Sequence, residues 1–415
     1  MFSLRRQQKT LYSSPGKIAW RKFKSNYLSL SGGIIIALFI LMAVFAYLIA
    51  PDHSPDANDQ HLELTTKQMG FEVPVLYVRK SQLSERHGLL ERILNGTTSD
   101  YRVIPYDTLF FSGDHVVIRE YGTRSTDNIY LHAFLIPEVV YPLSKNRLEI
   151  KETNGYFIFE DIYGNVHRET KQSLQYKIRN ENCKIKKFIC GTDRYGRDLL
   201  SRLILGSRIS LSVGIISVLI SLLIGVSLGA IAGYYRGWVD NVIVWFINVI
   251  WTIPTLLLVI AITMVLGKGF WQVFLAVGLT MWVEVARVVR GQVISIREKE
   301  YIEAARALGY SDARIIFKHI ISNIYSTIII ISASNFSSAI LIEAGLGFLG
   351  IGVQPPVPSW GSMVKDHYGY IIIEHAAYLA FLPGLAIMIM VLAFTLVGNG
   401  LRDAFDAQEA GTMMG

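Results

Sequence analysis

Cysteine is almost absent from this chain, and the two residues that occur stand close together. Cys183 and Cys190 are the only thiols among the 415 residues. A framework of several disulfides is therefore excluded, and at most one intrachain bond can form. If the surrounding segment lies in an oxidising compartment, we expect Cys183 and Cys190 to be bonded. Two unpaired, buried thiols are the alternative.

The sequence also lacks the patterns that bind nucleotides and metals. It contains no Gly-x-x-x-x-Gly-Lys-Ser/Thr loop for phosphate, and Gly267-Lys268-Gly269 has only a fragment of one. The nine histidines are scattered and show no ligand-like spacing. We therefore expect no cofactor, no metal and no catalytic residue on this chain, and no hydrolysis of ATP by the chain itself.

Ionisable side chains are nearly missing from six long apolar runs. The chain is 51% hydrophobic with a mean hydropathy of +0.36, which is typical of membrane proteins. Each run is long enough to cross a hydrocarbon core of about 30 Å as a helix. The runs are Tyr27–Ala50, Ile209–Tyr234, Val239–Leu266, Trp271–Val289, Ile324–Leu349 and Ala376–Val397. The first exceeds the apolar core of a signal peptide, so we expect it to remain as an anchor.

Lys and Arg are distributed unevenly among the segments between these runs. The N-terminal arm, residues 1–26, and the segment 287–318 hold seven each, whereas 267–270 and 350–375 hold one each. The positive-inside rule therefore predicts that the N-terminus, the segment after the fourth run and the tail 401–415 are cytoplasmic. Four arginines ahead of the second run contradict this pattern, namely Arg194, Arg197, Arg202 and Arg208.

The segment 51–190 differs in composition from the rest of the chain. It carries 18 basic and 19 acidic residues, so the net charge of +7 belongs to the remainder. Basic flanks of membrane helices suit anionic lipid headgroups, and they do not indicate nucleic-acid binding. Asn154-Gly155 between two alternating runs predicts a hairpin, and 159–170 predicts a second. Other alternating runs that predict strands are 71–80, 115–122 and 128–136. We expect a mainly β, extracytoplasmic insertion.

A charged segment, Glu300–Ser322, separates the fourth and fifth apolar runs. Residues 300–308 contain no helix breaker, and Gly309 suits the left-handed conformation that often ends a helix. Ser311 is a good N-cap for a second helix, along which isoleucines recur at helical spacing. The pattern predicts an amphipathic helix–Gly–helix hairpin. It either docks on a partner in water or lies on the lipid surface.

Glu303-Ala304-Ala305 and Gly309 resemble the EAA loop of permeases of binding-protein-dependent ABC importers. Ser322 stands where that family usually has a proline. Three further segments resemble dipeptide and oligopeptide permeases of the C type, namely Gly191–Arg208, Gly347–Gly361 and Gly398–Asp403. The resemblance implies the type I importer permease fold, all-α with six transmembrane helices. Residues 191–400 would form its core and 290–323 its coupling loop, and the resemblance does not extend to 51–190.

The resemblance also implies a function. The chain would be the transmembrane permease subunit of an ATP-driven importer of di- or oligopeptides in the inner membrane. A homologous second permease subunit, two ATPase subunits that hold ATP and Mg²⁺, and an extracytoplasmic solute-binding protein would complete the assembly. Nickel chelates, other metal complexes and glycans remain alternative cargoes. A membrane-anchored receptor or assembly scaffold built around residues 51–190 is the alternative of another class. The residues implied to couple to an ATPase are Glu303, Ala304, Ala305, Ala307, Leu308, Gly309, Ser311 and Ile315.

Three residues inside the apolar runs are candidates for the translocation path or its gate. An ionised Glu284 costs about 2.5–3.5 kcal/mol in a bilayer unless it is paired or faces water. Pairing with Arg287 on the same helix face is the alternative to a pathway role. Glu343, in the fifth run, is a second candidate carboxylate. Pro254 predicts a kink in the third run, which is either a hinge or a purely structural feature.

Overall fold

The structure is a computed structural model that describes residues 15–82, 88–122, 131–143, 150–153, 155–267 and 269–412. The α-helices in chain order are α1 (Pro15–Ser25), α2 (Tyr27–Val44), α3 (Ala46–Ile49), α4 (Leu89–Asn95), α5 (Ile136–Val140), α6 (Lys171–Lys177), α7 (Leu199–Tyr235), α8 (Gly237–Trp251), α9 (Thr255–Leu266), α10 (Phe270–Arg297), α11 (Glu300–Ala307), α12 (Asp312–Arg314), α13 (Tyr325–Leu349), α14 (Trp360–His367) and α15 (Tyr378–Thr412). The strands are β1 (Phe71–Arg79), β2 (Tyr101–Ser112), β3 (His115–Glu120), β4 (Leu131–Leu135), β5 (Lys151–Thr153), β6 (Tyr156–Glu160), β7 (Val166–Thr170) and β8 (Cys183–Phe188).

The described residues form two compact units. The helical unit consists of those within Met1–Ala43, Gly206–Lys365 and Ala380–Gly415. The β unit consists of those within Val44–Leu205 and Asp366–Leu379. The segment predicted as an insertion, 51–190, falls in the β unit.

Two antiparallel sheets make up the β unit. One has five strands in the order β4-β3-β2-β1-β8, and the other has three in the order β5-β6-β7. β1 and β3 lie on runs that the alternation predicted. β5 and β6 pair on either side of the predicted Asn154-Gly155 turn, of which Asn154 lies outside the described residues. The second predicted hairpin is formed by β6 and β7.

The longest strand of the β unit was not predicted from its sequence. β2 carries Pro105, and its pairing with β3 shifts between Tyr106 and Thr108. A proline and a bulge both interrupt regular alternation, so the pattern loses its period there. The buried apolar side chains between the sheets and the short helices include Leu76, Ile104, Val116, Ile118, Ile136, Val139, Phe157, Phe159, Leu174 and Ile178.

The helical unit contains the membrane-spanning elements. Within the described residues, α2, α7, α10, α13 and the part of α15 up to Phe405 are long and apolar enough to cross a bilayer. A sixth span exists only if the bent pair α8–α9 is counted as one. α7 begins at Leu199, ten residues before the predicted apolar run, which starts at Ile209 because Arg202 and Arg208 precede it.

The predicted third span, Val239–Leu266, is not one continuous helix. α8 ends at Trp251 and α9 begins at Thr255, and their axes are bent by 90°. Pro254 has no backbone N–H, and its ring disfavours helical geometry at the residue before it. The kink predicted at Pro254 is therefore confirmed in place, and the third span stays a prediction, because it is counted only if the bent pair is one broken span.

Three of the four arginines that contradict the charge pattern, Arg194, Arg197 and Arg202, have acidic partners close by. Asp193 Oδ2 accepts a hydrogen bond from Arg197 Nε at 2.7 Å and lies 3.7 Å from Arg202 Nε. The Asp193 Oδ1 atom accepts from two backbone N–H groups. The side chains of Asp193, Arg197 and Arg202 are at most 4% exposed. Arg194 pairs with Asp366 at 3.0 Å. Neighbouring carboxylates neutralise these positive charges, so the three arginines contribute little to the charge asymmetry that predicts the membrane topology.

We expect Asp193→Asn to destabilise the chain, because it leaves Arg197 and Arg202 buried without their carboxylate. Removing one partner of a buried ion pair costs about 3–5 kcal/mol. The temperature of unfolding of the purified full chain, followed by near-UV circular dichroism, measures the effect. The control is Asp114→Asn, which breaks a half-exposed pair with Lys171 and costs at most about 1 kcal/mol. Equal shifts in the two variants would contradict a structural role for the Asp193 network.

Candidate functional site

The segment 300–323, hereafter the polar hairpin, begins with α11 and turns at Gly309. The Gly309 N–H donates to Arg306 O at 2.9 Å, and the Tyr310 N–H donates to Ala305 O at 3.1 Å. Together these bonds form a Schellman motif, which requires a left-handed residue after the helix. Gly309 has a φ of +74°, and a Cβ added there would meet nothing within 4 Å. Glycine is thus favoured here by backbone conformation, and space within this chain does not require it.

The second half of the polar hairpin departs from regular α-helix. After α12 the chain forms a π-helix over Ile315–Ile320 and a 3₁₀ turn over Ile321–Asn323. Ser311 stands at the predicted N-cap position, where its side chain makes no capping hydrogen bond. Ser322, at the position of the family's proline, lies in the 3₁₀ turn and donates to Phe317 O at 3.5 Å.

One side of the polar hairpin is buried against α7 and α10. Five of its side chains join a single apolar cluster with residues of those two helices. The hairpin members are Ile302, Ala305, Ile315, Ile316 and Ile320, and the helix members are Ala230, Tyr234, Val285, Val289, Val293 and Ile296. Ala305 and Ile315, two of the eight residues implied to couple to an ATPase, therefore hold the hairpin to its own chain.

Tyr234, near the end of α7, anchors the polar hairpin. This role was not predicted from the sequence. Its hydroxyl donates to Asp312 Oδ1 at 2.6 Å. The Arg306 guanidinium lies over its ring, 5.0 Å from the centroid. Tyr234 is 3% exposed, so one aromatic side chain joins the last turn of α7 to both halves of the hairpin. Only its place at the end of an apolar run, opposite a charged segment, hinted at this role.

The opposite side of the polar hairpin is open in the isolated chain. Glu303, Ala304, Ala307, Gly309 and Ser311 are exposed there. Two large apolar side chains project beside them, Leu308 at 73% and Phe317 at 70% exposure. Phe317 was not among the predicted coupling residues. A small apolar face with protruding Leu and Phe side chains suits a protein groove, because those side chains gain from burial.

We expect Tyr234→Phe to loosen the polar hairpin without unfolding the helices beneath it. The variant loses the hydroxyl that donates to Asp312 and keeps the ring under Arg306. One lost hydrogen bond of this kind costs about 1 kcal/mol, which speeds amide exchange through local opening about fivefold. Hydrogen exchange of residues 310–320, followed by mass spectrometry, measures this. Tyr235→Phe, at the half-exposed neighbouring residue, is the control, and an equal acceleration there would contradict the anchoring role.

A cavity of about 220 Å³ lies at the break between α8 and α9. Its lining includes Trp251 and Thr255 on either side of the break, together with Glu284 of α10 and Ser338 of α13. The alternative pair between Glu284 and Arg287 is not formed. The Arg287 guanidinium instead lies over the Trp251 ring, 3.6 Å from its centroid. The structure therefore brings the Pro254 break and Glu284 together.

Glu343, the other candidate carboxylate, lies apart from this cavity. Its side chain is fully buried, and Oε2 accepts a hydrogen bond from Ser210 Oγ at 3.1 Å. The bond connects α13 to α7. The segment around Gly361 also approaches α13 closely, since a Cβ on Gly361 would meet the backbone of Ala344. Glu343 is thus placed between packed elements, and its pathway role stays a prediction.

The predicted disulfide is not formed, and both cysteines are free thiols. Cys183 is the first residue of β8, and Cys190 follows Phe188, the last residue of that strand, by two positions. An extended strand of this length spans about 17 Å, far beyond the limit of about 7 Å between bonded Cα atoms. The spacing of seven residues suggested a short loop, but the intervening residues pair with β1 as a strand.

We expect both cysteines to react with a maleimide in the absence of reductant, and to react faster as pH rises. Burial raises the pKa of the Cys183 thiol. Burial, and then the nearby Asp198 carboxylate, raise the pKa of Cys190. The reactive thiolate is therefore scarce at neutral pH, and its fraction grows about tenfold per pH unit below the pKa. Single Cys→Ser variants separate the two rates, and labelling that requires reductant would contradict free thiols.

Two family descriptions match parts of the chain. Residues 225–409 match the binding-protein-dependent transport system inner membrane component. Residues 14–66 match the N-terminal transmembrane domain of oligopeptide transport permease C. The first range contains α8 to α14 with the polar hairpin, and most of α15, and the second contains α1 to α3. Neither range includes residues 67–224, which hold both sheets of the β unit.

Several known proteins are similar to about half of the chain. The glutathione transport system permease protein GsiD of Pectobacterium atrosepticum is 42% identical over 216 residues, which are 52% of this chain and 71% of that protein. The dipeptide transport system permease protein DppC of Alkalihalophilus pseudofirmus is 43% identical over 216 residues, 52% of this chain and 70% of that protein. The oligopeptide transport system permease protein OppC of Bacillus subtilis is 38% identical over the same shares.

Solved structures with some likeness include the MetNI methionine ABC transporter in inward-facing conformations. That match has a TM-score of 0.42 and 18% identity, and covers 50% of this chain and 97% of that one. An amino acid ABC transporter crystallised with histidines matches with a TM-score of 0.37 and 18% identity, covering 48% of this chain.

Proposed function

This chain belongs to the family of binding-protein-dependent transport system inner membrane components, and we propose that it is the permease subunit of an ATP-driven importer of di- or oligopeptides. The peptide and glutathione cargoes named for its relatives support the cargo class. The polar hairpin carries the proposal. One side of the hairpin is packed on α7 and α10, and the other side is exposed and available to bind a partner.

We propose that the free side of the polar hairpin seats in a groove of an ATPase subunit in the cytoplasm. Leu308 and Phe317 enter the groove, while Ala304 and Ala307 allow close approach because their side chains are short. ATP and Mg²⁺ are held by the partner subunits. When two such subunits close on ATP, each draws its hairpin with it. The cluster beneath the hairpin passes that movement to α7 and α10.

The complete assembly contains a second, homologous permease subunit, as the family of this chain implies. The N-terminus, the polar hairpin and the C-terminus are cytoplasmic in this proposal. The β unit then lies outside the cytoplasm, where it contacts the solute-binding protein that delivers the peptide. The chain itself performs no chemistry.

We expect Gly309→Arg to abolish peptide uptake and co-purification of the ATPase, while the chain still inserts in the membrane. A Cβ at Gly309 would meet nothing within 4 Å in this chain, so we expect the damage to arise where a partner sits on Gly309. The left-handed backbone adds a strain of about 1–2 kcal/mol. Uptake of a labelled dipeptide by reconstituted vesicles, and ATPase recovery on the tagged permease, measure the two effects.

Two control variants separate docking from backbone strain. Gly309→Asn keeps a residue that tolerates the left-handed region and should retain most uptake. Gly113→Arg places the same side chain at another open glycine, with a φ of +56° in the β2–β3 turn, and should retain the ATPase. Normal uptake by Gly309→Arg would overturn the proposal. A wild-type chain that recovers no ATPase would favour the membrane-anchored receptor or scaffold instead.

A further inference from the structure

Two neighbouring membrane helices each turn a partly polar face away from the packed interior. α10 and α13 are held together by a shared apolar cluster that contains Val277, Met281 and Ala339. Away from that cluster, each helix carries exposed or half-buried residues at alternating spacings of four and three, which places them on one face. The residues are Glu284, Val288, Gly291 and Ser295 on α10, and Ser334, Ser338, Leu341 and Gly345 on α13.

The composition of these faces differs from that of a face turned to lipid. α7 shows the lipid-facing type, since its exposed residues include Ile215, Leu219 and Leu223. Six of the eight residues on the α10 and α13 faces are instead polar or glycine. Ionisable and hydroxyl side chains within membrane helices face the bundle interior or a water-filled space. The composition of the two faces therefore suits contact with water or with a partner subunit better than contact with lipid, and Glu284 and Ser338 of these faces line the cavity at the α8–α9 break.

Glu284 is the only ionisable residue in the lining of that cavity. It makes no ion pair or hydrogen bond with any residue that the structure describes, and its nearest candidate partner, Arg287, is engaged by Trp251. A carboxylate within a membrane helix is either paired or faces water, and a cation that enters the cavity would be such a partner. The hydroxyls of Thr255 and Ser338, also in the lining, make no hydrogen bonds among the described residues. Three polar groups with unused bonding capacity thus converge on one space.

The size of the cavity limits what it can hold. At about 220 Å³ it is smaller than the 300–1,000 Å³ typical of a site that encloses a whole drug-sized ligand. It suits one end of an elongated molecule. The partner that Glu284 lacks is a cation, and peptides of any sequence share one cationic group, the free α-ammonium at the N-terminus.

We propose that this cavity receives the amino end of the peptide in transit, with the Glu284 carboxylate paired to the α-ammonium group. Thr255 and Ser338 hydrogen-bond the first peptide unit. This ion pair compensates the positive charge of the peptide within the apolar part of the membrane. It does not depend on the side chains of the peptide. The inference rests on the proposed function, since it requires that peptides pass through this chain.

The test uses the complete transporter with its binding protein in proteoliposomes. The probes are a dipeptide and its analogue with an α-hydroxyl in place of the α-amino group, each at a concentration that saturates the binding protein. We expect the wild type to prefer the amino form at least tenfold. We expect Glu284→Gln to lower uptake of the amino form about tenfold and to bring the preference close to one. Glu284→Asp, which keeps the charge, should restore most of the preference.

A matched control lies on the same helix. Glu298→Gln removes a carboxylate at the end of α10 that is paired with Arg236 at 2.6 Å and is well exposed. This variant should keep the preference of the wild type. A Glu284→Gln transporter with unchanged preference overturns the inference. A Glu284→Gln chain that no longer holds the second permease subunit also overturns it, because the carboxylate then pairs with that subunit and not with cargo.

The experiments distinguish the proposed import function from the role of Glu284. If the wild-type assembly imports no peptide, the proposed function fails and the inference fails with it. If the wild type imports peptide and Gly309→Arg does not, while Glu284→Gln behaves as the wild type, only the inference about Glu284 is lost.

Discussion

A charged side chain within a bilayer must find a partner or face water, and this constraint orders the helical unit. Arg290 of α10 donates from Nε and Nη2 to both carboxylate oxygens of Asp240 at 2.6 and 2.7 Å, which fixes α8 against α10. Arg287 lies on Trp251 at the end of α8. Glu343 is hydrogen-bonded between α13 and α7. Each of these three side chains thus joins two helices, whereas Glu284 pairs with no residue that the structure describes. An unpaired carboxylate in a membrane helix is stable only where water or a cationic ligand reaches it.

The same constraint explains which parts of the structure follow from the sequence. Apolar runs predict the spans well, because hydrocarbon forbids charge along a whole run. The Schellman turn at Gly309 was predictable because it depends on local backbone geometry. The long-range partners were not. In the sequence Asp193 is only one acidic residue among several arginines, and its burial with Arg197 and Arg202 depends on tertiary structure. Tyr234 looked like the last residue of an apolar run.

Two other features do not follow from local sequence patterns, namely the angle of the bend at Pro254 and the strand between the two cysteines. Pro254 predicts a break in helix geometry, but its own residue type does not set the angle, which depends on what packs around α8 and α9. The cysteine pair failed because loop closure was inferred from spacing alone. The residues between Cys183 and Cys190 alternate weakly, and their pairing with β1 is decided by a strand more than 100 residues earlier. Non-local strand pairing leaves little trace in a short segment.

The geometry of α10 connects the two sites. Glu284 stands at the cavity, and the same helix ends at Arg297, directly before the polar hairpin. Arg297 lies 13 positions after Glu284, about 20 Å along the helix axis. Between them, Val285, Val289 and Val293 belong to the cluster that seats the hairpin. Well-packed apolar contacts deform little, so a displacement of the hairpin moves α10 as one body. The wall of the cavity that carries Glu284 then moves with α10, and α8 moves with it, because Arg290 and Arg287 hold α8 to α10. In the proposed transporter, a partner that moves the polar hairpin would therefore also move the Glu284 carboxylate, because α10 joins the two.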